Sequence, residues 1–299
     1  MKIPATASFL LLPLAIVLGL ILPEFSEFTR PLLEIALVVM MTVSTTKLNF
    51  AELGNAWRSP GKIFAIVGIN YGLLTAIIIV ATFGLIADPA LRIGFFIMAA
   101  LPPAISVIPY SRVLDGNVEL AVLGSGLLYL LSLIITPTLL YVFAGSTAIS
   151  PNTLLFVVGV MIVLPLGLSR GLARWRAYQK FEPYSEHAVS ICFFVIIYSV
   201  IGLNHEVFTN PSVVLTASLV GFSRTFLSGE LTNFLSRFFK LDKRLRTTYV
   251  LFGSYKNLGL SATAAISIYG VKASVPAAVS MPFEVGFFLY LLFKERWAQ

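Results

Sequence analysis

Long apolar stretches separated by short polar segments recur along the whole chain. Each approaches the roughly 20 residues with which a helix crosses a bilayer, and none shows the strict alternation of a transmembrane β-strand. Since backbone polar groups in lipid need partners within their own segment, helices are the predicted elements. We predict an all-α polytopic membrane protein with ten transmembrane helices, at about residues 5–22, 31–46, 62–87, 91–113, 117–145, 152–173, 185–203, 211–236, 247–268 and 274–293.

The charged residues are few and unevenly distributed. Of the 299 residues 58% are hydrophobic and only 12% are charged, and the formal net charge is +7. Of the 21 Lys and Arg side chains, 16 flank the predicted spans on the side of the N-terminus, three lie on the other side and two lie within spans. By the positive-inside rule, both termini are expected in the cytoplasm and the protein in the cell inner (plasma) membrane. The positive charge therefore indicates orientation in a lipid bilayer, and no nucleic-acid partner is expected.

The fourth predicted span contains three prolines, Pro102, Pro103 and Pro109, within eight residues. Each proline removes a backbone donor and frees a carbonyl group at membrane depth. One proline is compatible with a kink that neighbouring helices fill, but three in such a short segment favour a broken helix.

The ninth predicted span is the second candidate for a broken helix. Gly253, Ser254, Asn257 and Gly259 surround Lys256 in the middle of the span. A lysine at the centre of a membrane helix costs about 2.5–3.5 kcal/mol on insertion scales, so it normally faces protein or a water-filled cavity and marks a transport pathway. The structural alternative is a lysine paired with a carboxylate, and Glu284 in the tenth span is the first candidate partner.

Interrupted helices in corresponding positions of two halves are typical of transporters built from inverted repeats. Spans four and nine are each fourth in a group of five, and an odd number of spans per half gives the halves opposite topology. We therefore predict two inverted five-helix repeats, residues 1–149 and 150–299.

The sequence resembles the bile acid:sodium symporter family, within the wider bile/arsenite/riboflavin transporter superfamily. The resemblance rests on the ten spans with both ends inside, on the broken fourth helix and on four motifs. These are Asp-Gly-Asn-Val-Glu-Leu at 115–120, Ile-Thr-Pro at 135–137, Tyr-Lys-Asn-Leu-Gly-Leu at 255–260 and Val-Pro-Ala-Ala-Val-Ser-Met-Pro-Phe-Glu at 275–284. It implies a core bundle of spans 3–5 and 8–10 and a panel bundle of spans 1, 2, 6 and 7. It also implies that broken helices 4 and 9 cross in the core, and that transport proceeds by alternating access.

The positions that resemble the family's sodium sites depart from the family pattern. Those positions carry Val107, Ile108, Ala121, Phe252 and Lys256. Sodium requires hard oxygen ligands, and the oxygens that remain are those of Asn70, Ser125, Asn257 and the backbone. We therefore expect no metal, no sodium site and no cofactor. Lys256 then either stays charged as a built-in cation or titrates as a proton carrier, and proton coupling is one of these two alternatives.

The predicted function is secondary active transport of a small organic anion, with no enzymatic activity. The candidate substrate- and ion-binding residues are Lys256, Asn257, Ser254, Asn70, Ser106, Ser125 and Glu284, and the candidate helix breaks are at Pro102, Pro103, Pro109, Gly253 and Gly259.

Three other functions compete with this prediction. Efflux of a metalloid oxyanion is the first, because Glu284 resembles the tenth-helix carboxylate of arsenite carriers. Those carriers have a cysteine in the broken fourth helix, where this chain has Ala104, Ile105 and Ser106. A passive channel would need a selectivity-filter repeat or a charged ring, and the sequence shows neither. An intramembrane hydrolase built on a Ser254–Lys256 dyad is the third.

Overall fold

The computed structural model describes residues 5–46, 48, 59–144 and 151–297. Helices make up nearly all of this part of the chain, and no strand occurs in it. We number the main helices α1 (Ala5–Ile21), α2 (Leu32–Thr45), α3 (Pro60–Leu85), α4 (Pro89–Ala100), α5 (Val107–Val113), α6 (Val118–Ala144), α7 (151–174), α8 (Ser185–Leu203), α9 (211–238), α10 (Lys243–Phe252), α11 (Leu258–Tyr269) and α12 (Val275–Trp297). Short helical turns at Pro23–Phe25, Ser26–Thr29, Tyr178–Phe181, Glu182–Tyr184, His205–Phe208 and Val271–Ser274 connect some of them.

Several helices are long and apolar enough to cross a membrane. Among the described residues there are five, Pro60–Leu85, Val118–Phe143, Phe156–Arg174, Tyr178–Leu203 and Val271–Lys294. The pair Pro23–Thr29 and Leu32–Thr45, bent by 68°, is a sixth when it is counted as one span. The chain is therefore an all-helical, multi-pass membrane protein. This count is below the predicted ten partly because the fourth and ninth predicted spans are each divided into two short helices.

The two breaks lie close to where the sequence predicts them. The first covers residues 101–106 between α4 and α5, and the second covers residues 253–257 between α10 and α11. Pro102, Pro103 and Gly253 lie within them. Pro109 and Gly259 do not, since they lie in the first turns of α5 and α11. A proline is tolerated there because the first backbone N–H groups of a helix have no intrahelical partner.

Three of the long helices contain a π-helical segment near their middle. These segments are Gly68–Leu74 in α3, Gly159–Val163 in α7 and Ser223–Leu227 in α9. An insertion of this kind changes the direction in which the following side chains point, and it is frequent at functional sites. In α3 and α9 the segment carries a fully buried polar residue, Asn70 and Arg224.

The helices pack in two groups. In the first group, α1 packs on α8, α8 packs on α2, and the second half of α7 packs on α2. The second group contains α3 to α6 and α9 to α12, with α4 packed on α3, α6, α11 and α12. The boundary predicted between the two repeats, at residues 149 and 150, lies outside the described residues.

Two hydrogen bonds connect the groups at the end where α8 finishes. Ser267 Oγ donates to Glu34 Oε1 at 2.9 Å, and Asn204 Nδ2 donates to Ser274 Oγ at 3.1 Å. Glu34 lies in the first turn of α2, where a carboxylate is also favoured by the helix dipole.

Gly94 of α4 lies at a close contact between α4 and the turn that precedes α12. A Cβ atom at this position would lie 2.0 Å from the carbonyl oxygen of Ala273, in the turn that precedes α12. Since this oxygen belongs to the backbone, it cannot move away without shifting the turn.

We expect Gly94→Ala to lower the stability of the protein by about 3 kcal/mol, because the added methyl group forces α4 away from the turn at Ala273. Gly84→Ala is the matched control, since a Cβ atom there meets nothing within 4 Å. Its effect should stay within about 0.5 kcal/mol. Thermal unfolding of both variants in detergent tests this, and equal midpoints would contradict the close approach.

Asp88 connects the start of α4 to the same turn. Its Oδ1 accepts from the backbone N–H groups of Ala90 and Leu91 as an N-cap, and its Oδ2 lies 2.6 Å from Lys272 Nζ. Burial alone would raise the pKa of Asp88, but the Lys272 ammonium and the two N–H donors hold this pKa below its ordinary value.

Because the pKa of Asp88 is lowered by folding, its stabilising effect is present at neutral pH and is lost as the pH falls below about 4. We expect Asp88→Ala to cost about 1 kcal/mol at pH 7, mainly through loss of the cap. Asp88→Asn keeps a capping oxygen and loses only a half-exposed ion pair, so it should cost about 0.5 kcal/mol or less. Unfolding midpoints measured at pH 7 and pH 3 check both expectations. A difference from wild type that grows toward pH 3 would contradict them.

Candidate functional site

The two helix breaks meet each other in the second group of helices. The backbone N–H of Asn257 donates to the carbonyl oxygen of Pro102 at 3.0 Å. Pro102 and Pro103 have no N–H of their own, so this segment presents carbonyl oxygens without competing donors. The meeting point is therefore rich in acceptors and poor in donors.

Lys256 supplies donors at this point. Its side chain is fully buried, and Nζ donates to Asn70 Oδ1 at 3.0 Å and to the carbonyl oxygens of Ala99 and Leu101 at 2.9 Å each. Thr75 Oγ1 lies further away, at 3.4 Å. The carbonyl groups of Ala99 and Leu101 have no intrahelical partner because α4 ends at Ala100, and the carbonyl of Ala99 also accepts from Thr75 Oγ1 at 2.8 Å. We call these four oxygens the oxygen cage.

The contacts of Asn70 fix the orientation of its amide group. Asn70 Nδ2 donates to the carbonyl oxygen of Phe252 at 2.8 Å, so Oδ1 faces Lys256. The three oxygens nearest to Nζ are thus a side-chain amide oxygen and two backbone carbonyls, which only accept hydrogen bonds. Three such partners require three N–H donors, which the ammonium form has and a neutral amine lacks. The geometry therefore matches a charged lysine, and Tyr71 adds a ring face 4.6 Å from Nζ.

The predicted pairing of Lys256 with Glu284 is wrong for the side chain of the lysine. Glu284 Oε1 instead accepts from Arg224 Nη2, in an ion pair, and from the backbone N–H of Lys256 at 3.1 Å. Arg224 Nη2 also donates to the carbonyl oxygen of Ser254 at 2.8 Å. Arg224 therefore anchors the second break from α9, while Asn70 anchors it from α3.

Asn257 connects the second break to its surroundings in three directions. Its Oδ1 accepts from Leu260 N at 3.0 Å, which caps α11. Its Nδ2 donates to Tyr129 OH at 2.7 Å and lies 3.2 Å from Met41 Sδ. These contacts of its amide hold the start of α11 in place.

A cavity of about 350 Å³ lies between the first group of helices and the two breaks. Its polar lining consists of Ser44, Ser106, Tyr110, Ser185, Glu186, Ser190, Lys256, Asn257 and Glu284. The remaining lining is mostly aliphatic and aromatic, from α1, α2, α5, α8 and α12. Pockets for small molecules have this composition, with apolar walls and a few polar groups that fix orientation.

The remaining predicted site residues lie in different places. Ser106 lines the cavity, whereas Ser254 and Ser125 are fully buried and do not. Ser254 Oγ donates to the carbonyl oxygen of Val250 at 2.7 Å, so neither it nor Lys256 Nζ is arranged as a Ser-Lys dyad. The hydroxyl of Ser125 has no hydrogen-bond partner among the residues that the structure describes.

The positions that resemble sodium sites in the sequence are apolar and buried at Val107, Ile108, Ala121 and Phe252. In the described part of the chain, no group of three or more His, Cys, Asp or Glu side chains could hold a metal ion.

Sequence reasoning missed four participants in this site, which are Thr75, Arg224, Tyr129 and the carbonyl groups at the end of α4. The sequence does indicate a role for Arg224, since placing an arginine within a membrane span costs free energy and such residues are usually functional. It does not indicate one for Thr75 and Tyr129, because threonine and tyrosine are common in membrane helices. The prolines predict that carbonyl groups at the end of α4 lack intrahelical partners, but the spacing of residues in the sequence does not identify Lys256 as the group that contacts them.

Comparison with known proteins identifies the family of this chain. The profile of the SBF-like CPA transporter family matches residues 8–285. The chain belongs to this family of membrane transporters, which bears out the resemblance seen in the sequence. A relative from Bacillus subtilis (strain 168), named "Uncharacterized sodium-dependent transporter YocS", is 22% identical over 268 residues, which are 88% of this chain and 82% of that protein.

We expect Asn70→Ala to lower stability by about 2–3 kcal/mol, because the carbonyl of Phe252 and one N–H of Lys256 lose their partners in a buried site. Asn152→Ala is the control, since Asn152 is exposed at the start of α7. Thermal unfolding of the two variants in detergent measures the difference. If Asn70→Ala matched Asn152→Ala, the contacts of Asn70 would not stabilise the break.

Proposed function

We propose that this protein is a secondary active transporter of a small organic anion, and that it works without sodium because the Lys256 ammonium takes the place of a bound cation. The observation that carries the proposal is the oxygen cage. Its oxygens, from an amide, a hydroxyl and two carbonyl groups, are of the type that hard cations prefer. A tethered ammonium already fills this cage, so a free ion is not needed to hold the breaks together.

Inverted repeats of five spans each, residues 1–149 and 150–299, are the architecture that we propose for this function. The π segments of α3 and α9, which are the third helices of the two halves, both present a buried polar residue to the second break. Asn70 contacts Phe252 there, and Arg224 contacts Ser254. The hydrogen bond between Asn257 and Pro102 supports a crossing of broken helices 4 and 9.

The two groups of helices correspond to the panel and core bundles that we propose. The first group supplies one wall of the cavity, and the breaks in the second group supply the other wall. Movement of one group against the other would expose the cavity to each side of the membrane in turn, as in other inverted-repeat carriers.

The cavity reaches the ends of α2 and α8 that carry Ser44 and Glu186. The positive-inside rule assigns this side to the cytoplasm. The opposite ends of the two groups are joined by the hydrogen bonds of Glu34 and Asn204. We therefore assign the conformation as inward-facing, in the cell inner membrane, with both termini in the cytoplasm.

An anion is the proposed substrate because the breaks carry an uncompensated positive charge. Arg224 and Glu284 neutralise each other, whereas within the described part of the chain the hydrogen-bonding partners of Lys256 are all neutral. A buried charge without a countercharge is costly, so an anion that enters the cavity beside the second break lowers this cost. The apolar walls favour an organic anion over a strongly hydrated inorganic one.

The Bacillus subtilis relative is named as sodium-dependent, and the proposal departs from that property at Lys256. The test measures thermal shifts of the purified protein with small carboxylates and sulfonates, in sodium chloride and in choline chloride at equal concentration. We expect at least one acid to raise the unfolding temperature equally in both salts, since ligand binding stabilises by mass action.

Lys256→Ala should open the oxygen cage to small cations. We expect sodium or methylammonium chloride to raise its unfolding temperature above the value in choline chloride, while wild type shows no such difference. Lys272→Ala, which removes a half-exposed lysine, is the control and should behave like wild type. Binding of the acid that requires sodium in wild type and persists in Lys256→Ala would overturn the proposal.

A further inference from the structure

Glu284 is the acidic side chain at the centre of the site, and the proposed function does not use it. It lies on α12, lines the cavity, and its side chain is 13% exposed. Glu186 also lines the cavity, but it is exposed near the start of α8. Glu284 is therefore placed to exchange protons with the cavity while it stays in contact with the second break.

The two carboxylate oxygens of Glu284 differ in their surroundings. Oε1 accepts from both Arg224 and the backbone N–H of Lys256. No hydrogen bond from a described residue reaches Oε2. A proton on Oε2 would leave both contacts of Oε1 in place, so protonation does not require the site to rearrange.

Arg224 is held independently of Glu284. Its Nη2 donates to the carbonyl oxygen of Ser254, and its Nη1 lies 3.6 Å from Met98 Sδ. The guanidinium therefore remains at the break when Glu284 is neutral. Arg224 is fully buried and lies behind Glu284, so its charge, no longer balanced by the carboxylate, attracts an anion in the cavity through space.

The groups that face Glu284 come from several elements. Arg224 lies on α9, Tyr255 and the backbone of Lys256 belong to the second break, and Tyr110 on α5 packs edge-on against Tyr255. Glu186 on α8 lines the same cavity. Lys256 Nζ points away into the oxygen cage, so Arg224 is the cation that directly contacts the carboxylate.

We propose that Glu284 is the proton-binding group of this transporter and that it makes the carrier a proton–anion symporter. This deepens the proposed function and rests on it. In the balanced step, a hydronium ion in the cavity gives one proton to Oε2 of the Glu284 carboxylate, which becomes a carboxylic acid, and the substrate anion in the cavity then balances the charge of Arg224 in place of the carboxylate charge.

The coupling between proton and anion follows from charge. An anion close to Glu284 repels its carboxylate and so increases its affinity for a proton, and by linkage the proton increases the affinity for the anion by the same factor. One proton and one monovalent anion then move together, which is electrically neutral.

Labelling with dicyclohexylcarbodiimide tests proton binding without a known substrate. This reagent adds to a protonated carboxyl group in an apolar environment, and the adduct on the peptide containing Glu284 is measured by mass spectrometry. We expect labelling to fall about tenfold per pH unit above the titration midpoint, as the protonated fraction does. Glu230→Gln should leave this labelling unchanged, because Glu230 is paired with Lys294 at a different position. Absence of labelling between pH 5 and pH 9 would overturn the proposal.

Transport by proteoliposomes separates coupling from transport itself. The probe is the radiolabelled form of the acid that gives the largest thermal shift. We expect Glu284→Gln to lose accumulation driven by a pH gradient by at least tenfold and to keep exchange of labelled for unlabelled acid. Accumulation that persists in Glu284→Gln would overturn proton coupling and leave the proposed function intact. If wild type showed no exchange of labelled for unlabelled acid, the proposed function would be overturned. The carbodiimide labelling would still test proton binding by Glu284, because it does not depend on transport.

If Glu284→Gln lost both accumulation and exchange, Glu284→Asp would decide the matter. An aspartate keeps an acid near Arg224, so it should restore exchange with a shifted pH dependence. A purely structural role for the ion pair would restore exchange with the pH dependence unchanged, and this outcome would contradict the proposal.

Discussion

The hydrogen bonds of the Lys256 ammonium are the contacts on which the rest of the site depends. A broken helix in a membrane leaves backbone carbonyls without partners, and each of these costs free energy that water cannot relieve. Lys256 contacts the carbonyl groups of Ala99 and Leu101 and the amide of Asn70 with a single group. One side chain thus stabilises the end of α4, the middle of α3 and the second break together.

The two basic residues of the site have different tasks. Lys256 is surrounded by neutral acceptors and holds backbone together, whereas Arg224 is paired with an acid that faces the cavity. Three oxygens that only accept hydrogen bonds surround Lys256 Nζ, so we propose that Lys256 stays an ammonium throughout the cycle. The pair of Arg224 and Glu284 can instead change its net charge when Glu284 binds a proton, and we propose that this step couples the proton gradient to transport.

Much of the fold could be predicted from the sequence because burial in lipid leaves few alternatives. Helix α8 has the predicted bounds of 185 and 203, and both breaks lie where prolines or glycines interrupt an apolar run. Partner assignments could not be predicted in the same way. Glu284 was expected to pair with Lys256, but the contact depends on which face of α9 presents Arg224, and a π segment alters that face. The exact ends of a break are equally hard to predict. Pro109 is a candidate break residue in the sequence but lies in the first turn of α5, because composition locates a break only to within about one helical turn.

The tether of Lys256 also affects how the protein responds to its medium. A ligand on the same chain has an effective concentration at its site that a dissolved ion rarely reaches. Occupancy of the oxygen cage is then independent of the salt composition outside the cell. In the carrier that we propose, the binding site stays assembled in fresh water and in brine alike, and no sodium ion has to leave it in a turnover.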